Sequence, residues 1–306
     1  MRALVATSVR RRRLLPVALL ALLVGACADA APTAAPGTPT IQPPTPVIPT
    51  PSPASPAGTF WLRLTTWQAL PPVNVFAMTP LVVITADGLD VVPGAVFAIF
   101  PGPLVVPLLA RQVSDAGRAA IVGWADELGL LAGTTDFTGG AGVPGGITGK
   151  IELTANGELL TLTGLPGGAP DGDVAPGSPE AFQVFWDRVA SLRQTLPGEL
   201  GPEQPFTPDG YGILVGPPPE SQDGHTSPVA DWPLDTALPE FGGPVLDGSY
   251  RCGLVEGDDA AALRPALEGA NQLTQWTSDP STSATFGLTV RPIVAGEDPC
   301  AEVFGS

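Results

Sequence analysis

The chain has 306 residues, 44% of them hydrophobic, enough to bury a substantial core and too apolar for a disordered polymer. Its 14 basic and 30 acidic residues give a formal net charge of −16, which repels phosphate backbones and anionic lipid headgroups and excludes nucleic acid as an expected partner. Glycine (37) and proline (38) together make about a quarter of the residues, near the level of low-complexity sequence, so where they concentrate decides the layout.

Arg10-Arg11-Arg12-Arg13 precede an apolar run from Leu14 to Val24, followed by Gly25-Ala26-Cys27. A basic start, a short apolar middle and a small-residue exit form a secretory signal, and the run is too short to span a bilayer. Residues 1–26 are therefore read as a signal peptide, exported by the general route or, on a loosely fitting arginine pair, the twin-arginine route. Val24-Gly25-Ala26-Cys27 resembles a bacterial lipoprotein box. That resemblance implies a diacylglycerol on Cys27 and a place at the cell membrane, lipid-anchored and facing outside the cytoplasm. The alternative is an ordinary cleaved signal that includes a cysteine. Loss of residues 1–26, which hold five arginines and no acid, leaves nine basic residues and a charge of −21.

Residues 27–58 comprise Cys27 and a stretch with ten prolines and no aromatic or basic side chain. Such a stretch cannot bury enough apolar surface to offset its ordering entropy. It predicts a disordered, semi-rigid polyproline II spacer of roughly 90 Å at full extension.

An α+β domain is expected over residues 59–196. Its first strand is Thr59 to Gln68, in which Trp61, Arg63, Thr65 and Trp67 alternate with Phe60, Leu62, Leu64 and Thr66. Leu81 to Ala86 and Leu89 to Val92 form a hairpin about Asp87-Gly88. Val96 to Val106, broken by Pro101 and Pro103, reads as a buried loop or short strand. Ser114 then caps a helix whose core stripe runs through Val113, Ala116, Ala120, Trp124, Leu128 and Leu131.

Asn156-Gly157 between two strand-like runs in Ile147 to Gly164 predicts a second hairpin with a two-residue turn. Ser178, Pro179 and Glu180 open a second helix, with Phe182, Phe185, Val189, Leu192 and Leu196 as its buried stripe. The two hairpins, each followed by a Ser-capped helix, read either as one ββα unit used twice or as two hairpins with similar turn chemistry.

Residues 197–248 carry eleven prolines up to Pro244 and are either a wrapping segment or a subdomain boundary. Trp232 and Phe241 favour wrapping, since a free linker has no use for them. The last segment, 249–306, holds Cys252 and Cys300. With Cys27 lipidated these are the only remaining thiols, and export makes a disulfide the default, worth on the order of 4 kcal/mol by loop-closure entropy. A strand about Cys252, a helix from Asp258 interrupted at Pro265, and a strand from Ala284 to Val290 complete the chain. Asp258 and Asp259 read as helix caps.

The tail DGSYRCGLVEGDDAAAL, then FGLTVRPIVAGEDPC, together with the PLVVITADG hairpin, is similar to uncharacterised exported proteins and lipoproteins of bacteria. The similarity implies no activity. It supports the Cys252 to Cys300 pairing.

Candidate chemistry is sparse. A single His, His225, sits in a polar loop, and no nucleophile elbow or phosphate-cradling glycine pattern occurs. No cofactor is expected. Asp171 and Asp173 offer two carboxylates to a cation but lack the further oxygens of a calcium loop. Acid pairs at Asp126-Glu127, Asp258-Asp259 and Glu297-Asp298 remain for hydrolysis. Trp61 and Trp67 share a strand face by even spacing and form a candidate ligand platform. The expected function is thus a non-catalytic binding or structural domain at the cell envelope, tethered to the membrane and open to a protein or small-molecule ligand. A carboxylate-based hydrolase and an accessory or inhibitor module for an envelope enzyme are the alternatives.

Overall fold

A computed structural model describes residues 59–96, 98–138, 146–168, 172–221 and 224–305, which belong to the compact unit Ser52–Ser306. The signal peptide, Cys27 and the Pro-rich spacer lie outside the described residues, as does Asp171.

Eight strands build the first sheet: β1 (Phe60–Trp67), β2 (Val82–Thr85), β3 (Leu89–Pro93), β4 (Leu108–Gln112), β5 (Asp136–Phe137), β6 (Thr148–Ala155), β7 (Glu158–Gly164) and β8 (Gln204–Phe206). Their spatial order is β5-β7-β6-β1-β2-β3-β4-β8, antiparallel throughout except for β5 beside β7. The two predicted hairpins thus lie on either side of β1. Asn156 and Gly157, with φ of 53° and 82°, make the two-residue turn between β6 and β7, which needs both residues left-handed. The β2–β3 turn is one residue longer, closed by Gly88 N–H on the Thr85 carbonyl, and strand β4 intervenes before the helix that follows.

Four helices precede β8 in the chain: α1 (Pro72–Phe76), α2 (Asp115–Glu127), α3 (Pro179–Ala190) and α4 (Leu192–Thr195). Ser114 Oγ accepts from the Gly117 amide at 3.0 Å and Ser178 Oγ from the Ala181 amide at 3.2 Å, so both predicted N-caps form and satisfy orphan amides of the first turn. The stripe of α2 is displaced by one residue from the expected one. Gly117, Ile121 and Ala125 are buried and Ala116 is exposed, because Val113 lies between β4 and the N-cap Ser114, bridged to Leu200, and does not belong to the helix. On α3 the expected Phe182, Phe185 and Val189 are buried, with Trp186 beside them. Gly149 and Gly164 lie directly under Trp186 and Phe182, and the missing Cβ atoms let the rings rest on the sheet. These side chains, with Leu62, Leu64, Ile151, Leu153 and Leu162, form the largest core, each buried aliphatic or aromatic group contributing about 1.5–3 kcal/mol.

The second sheet takes β9 (Gly210–Gly216), β11 (Gly243–Val245), β12 (Tyr250–Glu256) and β14 (Gly287–Ile293) in the order β11-β12-β9-β14, and β10 (Val229–Asp231) pairs with β13 (Gln275–Thr277). The Pro-rich stretch therefore supplies β8 to one sheet and the inner strand β9 to the other. Trp232 and Phe241 are buried with Trp276 against α5 (Gly257–Glu268), the two tryptophans edge to face at 6.3 Å. Helix α5 runs through Pro265; burial of Leu263 and Leu267 on either side outweighs a cost of about 3 kcal/mol. Its N-cap position is Glu256, without a side-chain cap, so Asp258 and Asp259 are first-turn acids facing the helix dipole and not caps. The described residues between Val96 and Val106 are irregular and only partly buried, with Val96, Ile99 and Phe100 exposed.

The expected disulfide is present. Cys252 on β12 and Cys300 on α6 (Pro299–Phe304) are bonded, with Cα atoms 5.8 Å apart and a sequence separation of 48. It fastens α6 over the second sheet beside Phe76 and Leu214.

Candidate functional site

Alternation along β1 sends Leu62 and Leu64 into the helix-covered core and leaves Arg63, Thr65 and Trp67 on the opposite face. Register then places their partners. Arg63 lies opposite Glu152, Thr65 opposite Lys150 and Trp67 opposite Thr148 on β6, and Lys150 lies opposite Thr163 on β7. This polar patch is the floor of a cleft of about 560 Å³, within the usual range of roughly 300–1,000 Å³ for small-molecule sites. Val75, Met78 and Pro80 from α1 and the turn after it form one wall, and Arg291 of β14 with Glu302 and Val303 of α6 form another. At the rim, Trp67 is 67% exposed.

Six charges run through the cleft and beneath it. Arg63 Nε donates to Glu152 Oε2 at 2.6 Å and Arg63 Nη1 to Glu302 Oε1 at 2.7 Å. Arg291 Nη2 donates to Glu297 Oε2 at 3.0 Å and to Glu302 Oε2 at 3.3 Å. Lys150 Nζ is 3.3 Å from Glu152 Oε2. The network ties β1 and β6 of the first sheet to β14 and α6 of the second.

Burial opposes the charge on Arg63, but hydrogen bonds and attraction from Glu152 and Glu302 outweigh it and raise its pKa. Burial likewise pushes the Glu152 carboxyl up, and the Arg63 and Lys150 cations pull it below its ordinary value. Glu297, with no exposed side-chain surface, goes the other way: burial, with Glu302 adding to it, raises its pKa against the pull of Arg291 and Arg63.

Of the predicted platform, Trp67 reaches this cleft and Trp61 does not. The pairing of β1 with β2 slips between Phe60 and Leu62, a bulge that inserts one residue and reverses the face of those before it. Trp61 consequently packs on the helix side, while Phe60 sits under the Arg63 guanidinium, 4.6 Å from ring centre to Cζ. Even spacing failed here because the strand is not regular.

Other candidates lie apart. His225 is exposed and packs edge-on against Phe100 at 5.6 Å. Asp173 is exposed, and its proposed partner Asp171 lies outside the described residues. Among the described residues no three His, Cys, Asp or Glu side chains are grouped as metal ligands. Asp126 and Glu127 are exposed on α2. Asp298 caps α6, accepting from the Ala301 amide at 2.9 Å. Arg63, Lys150, Glu152, Arg291 and Glu302 were not anticipated. One signal did point to the site: Lys150 is the only lysine of the chain.

Chemically, the cleft combines one accessible ammonium, one carboxylate already held by two guanidinium groups, hydroxyls and an open indole. No known family, curated protein or solved structure matches this chain.

Proposed function

We propose that this chain is a lipid-anchored extracytoplasmic binding protein that holds a small ligand in the Trp67 cleft at the cell envelope without converting it. The observation that carries the binding reading is the cleft itself, walled by apolar side chains, floored by hydroxyls and a lysine, and edged by an indole that makes no use of its exposure within the fold. Tryptophan is enriched at interfaces, where its indole offers a large apolar area together with an N–H donor. The reading of location rests on the arginine-led apolar run and Cys27. In agreement with it, no helix among the described residues is long and apolar enough to cross a membrane.

A hydrolase working through two acids finds less support. Glu302 is the one carboxylate lining the cleft among the described residues, Glu297 is shielded and Glu152 is bound by Arg63.

Two measurements test the proposal. Intact-mass analysis of the membrane fraction should find diacylglycerol on Cys27 as the first residue; an unmodified Cys27 or cleavage elsewhere refutes the anchor. Native mass spectrometry of protein taken from its own membranes should show a small molecule that the Trp67→Ala protein lacks. Equal occupancy in both, or turnover of the bound molecule, overturns the binding reading.

A further inference from the structure

Resting on that reading, we propose that the ligand is an acidic saccharide, with one pyranose face against Trp67 and a carboxylate at Lys150. Charge is the first argument. The mature chain carries nine basic residues against a net charge of −21, yet three of the nine, Arg63, Lys150 and Arg291, line this one cleft. The two arginines are largely buried and committed to glutamates. Lys150 has 42% of its side chain exposed and three donors, and its one carboxylate neighbour, Glu152, is already engaged more closely by Arg63. Beyond that contact it is an accessible point charge, suited to a carboxylate.

The second argument is hydroxyl chemistry. Thr65, Thr148 and Thr163 lie around Lys150 on the floor, with Thr66 and Thr79 beside them. Their hydroxyls make no hydrogen bond among the described residues, so each can both donate and accept. Sugar hydroxyls have the same dual character, and the C–H face of a pyranose ring covers an indole without stranding a polar group.

The same geometry disfavours the competing classes. An amino acid or peptide N-terminus needs a free carboxylate for its ammonium, but Glu302 has Oε1 taken by Arg63 and Oε2 by Arg291. A phosphate is best held by a free guanidinium fork, and both forks here are occupied by glutamates.

The test is calorimetric titration, with Trp fluorescence, of the mature lipidated protein against a galacturonic acid trisaccharide and its carboxyl-reduced, neutral counterpart. Binding of the acidic form at least tenfold tighter is expected. Lys150→Gln should abolish that preference, Lys150→Arg should restore it, and Trp67→Ala should lose both sugars, while Arg118→Gln, on α2 across the sheet from the cleft, changes nothing. Equal affinity for the two trisaccharides overturns the acidic assignment and leaves the cleft as a sugar site. If neither binds while a co-purified molecule still occupies the cleft of the wild type and not of Trp67→Ala, the saccharide is wrong and the binding function stands. If neither sugar nor any co-purified molecule is found, both fail.

Discussion

Asp90 provides the sharpest test of the energetics, and it lies away from the cleft. On β3 it stands opposite Ile84 of β2 and Arg111 of β4, 2% exposed, beneath α3 and α4 in a hollow of about 420 Å³ with Val82, Val92, Val189 and Leu192. Its Oδ1 has no hydrogen-bond partner among the described residues. Burial pushes the carboxyl from 3.8 up to about 6, against the pull of Arg193 and Arg111. Because the folded pKa exceeds the unfolded one, the native state holds this proton more tightly. Stability is therefore full below about pH 4 and is lost as pH rises through 6. A gap of roughly two pH units at about 1.36 kcal/mol each amounts to about 3 kcal/mol withdrawn by the ionised form at pH 7.5. Asp90→Asn keeps the shape and removes the charge. Urea unfolding of wild type and variant at pH 4, 5, 6 and 7.5 should show the variant gaining about 3 kcal/mol relative to wild type across that range, or roughly 6–12 °C in Tm at 2–4 °C per kcal/mol. Comparing pH values cancels the fixed cost of burying an amide. A difference between the two proteins that does not vary with pH would refute the reasoning.

The remaining predictions concern packing and the ionic bridge. In Gly149→Ala the added Cβ would lie 2.8 Å from Cε3 of Trp186 and nearer still to Cζ3; a loss of about 1–3 kcal/mol is expected from overpacking, and a neutral denaturation midpoint would show that α3 can lift off the sheet at no cost. Arg63→Met leaves Glu152 with Lys150 alone and Glu302 with Arg291 alone and should cost about 3–5 kcal/mol, with Glu152→Leu added to it recovering a good part; a loss under about 1 kcal/mol would mean the network is solvated. Replacing Cys252 and Cys300 by serine should remove about 2–5 kcal/mol, seen as a lower unfolding midpoint under oxidising conditions and no further shift with reductant.

Local signals read well wherever they were self-contained. Asn156-Gly157, Ser114 and Ser178 each act through neighbours within three residues, and all three form what their chemistry predicts. Phase errors arose where an element boundary was hidden: counting the α2 stripe from Val113 rotated the helix, because β4 was not recognised. Trp61 was misplaced by a bulge, which leaves no mark in side-chain alternation. The cleft charges were illegible for a different reason. Residues 63, 150, 152, 291 and 302 come together only through the pairing of β1 with β6 and the closure of α6, and no spacing rule connects them. Composition alone held a clue, a solitary lysine among thirteen arginines.

Arg63 and Glu302 are separated by 239 positions, so the cleft depends on one of the least local contacts the fold can make, and such contacts close late in folding. One of its walls is α6, held by the bond from Cys300 to Cys252. The pocket is therefore complete only once α6 has docked. A chain in which α6 has not docked lacks the Glu302 and Val303 wall, which makes occupancy of the pocket a readout of maturation as well as of ligand.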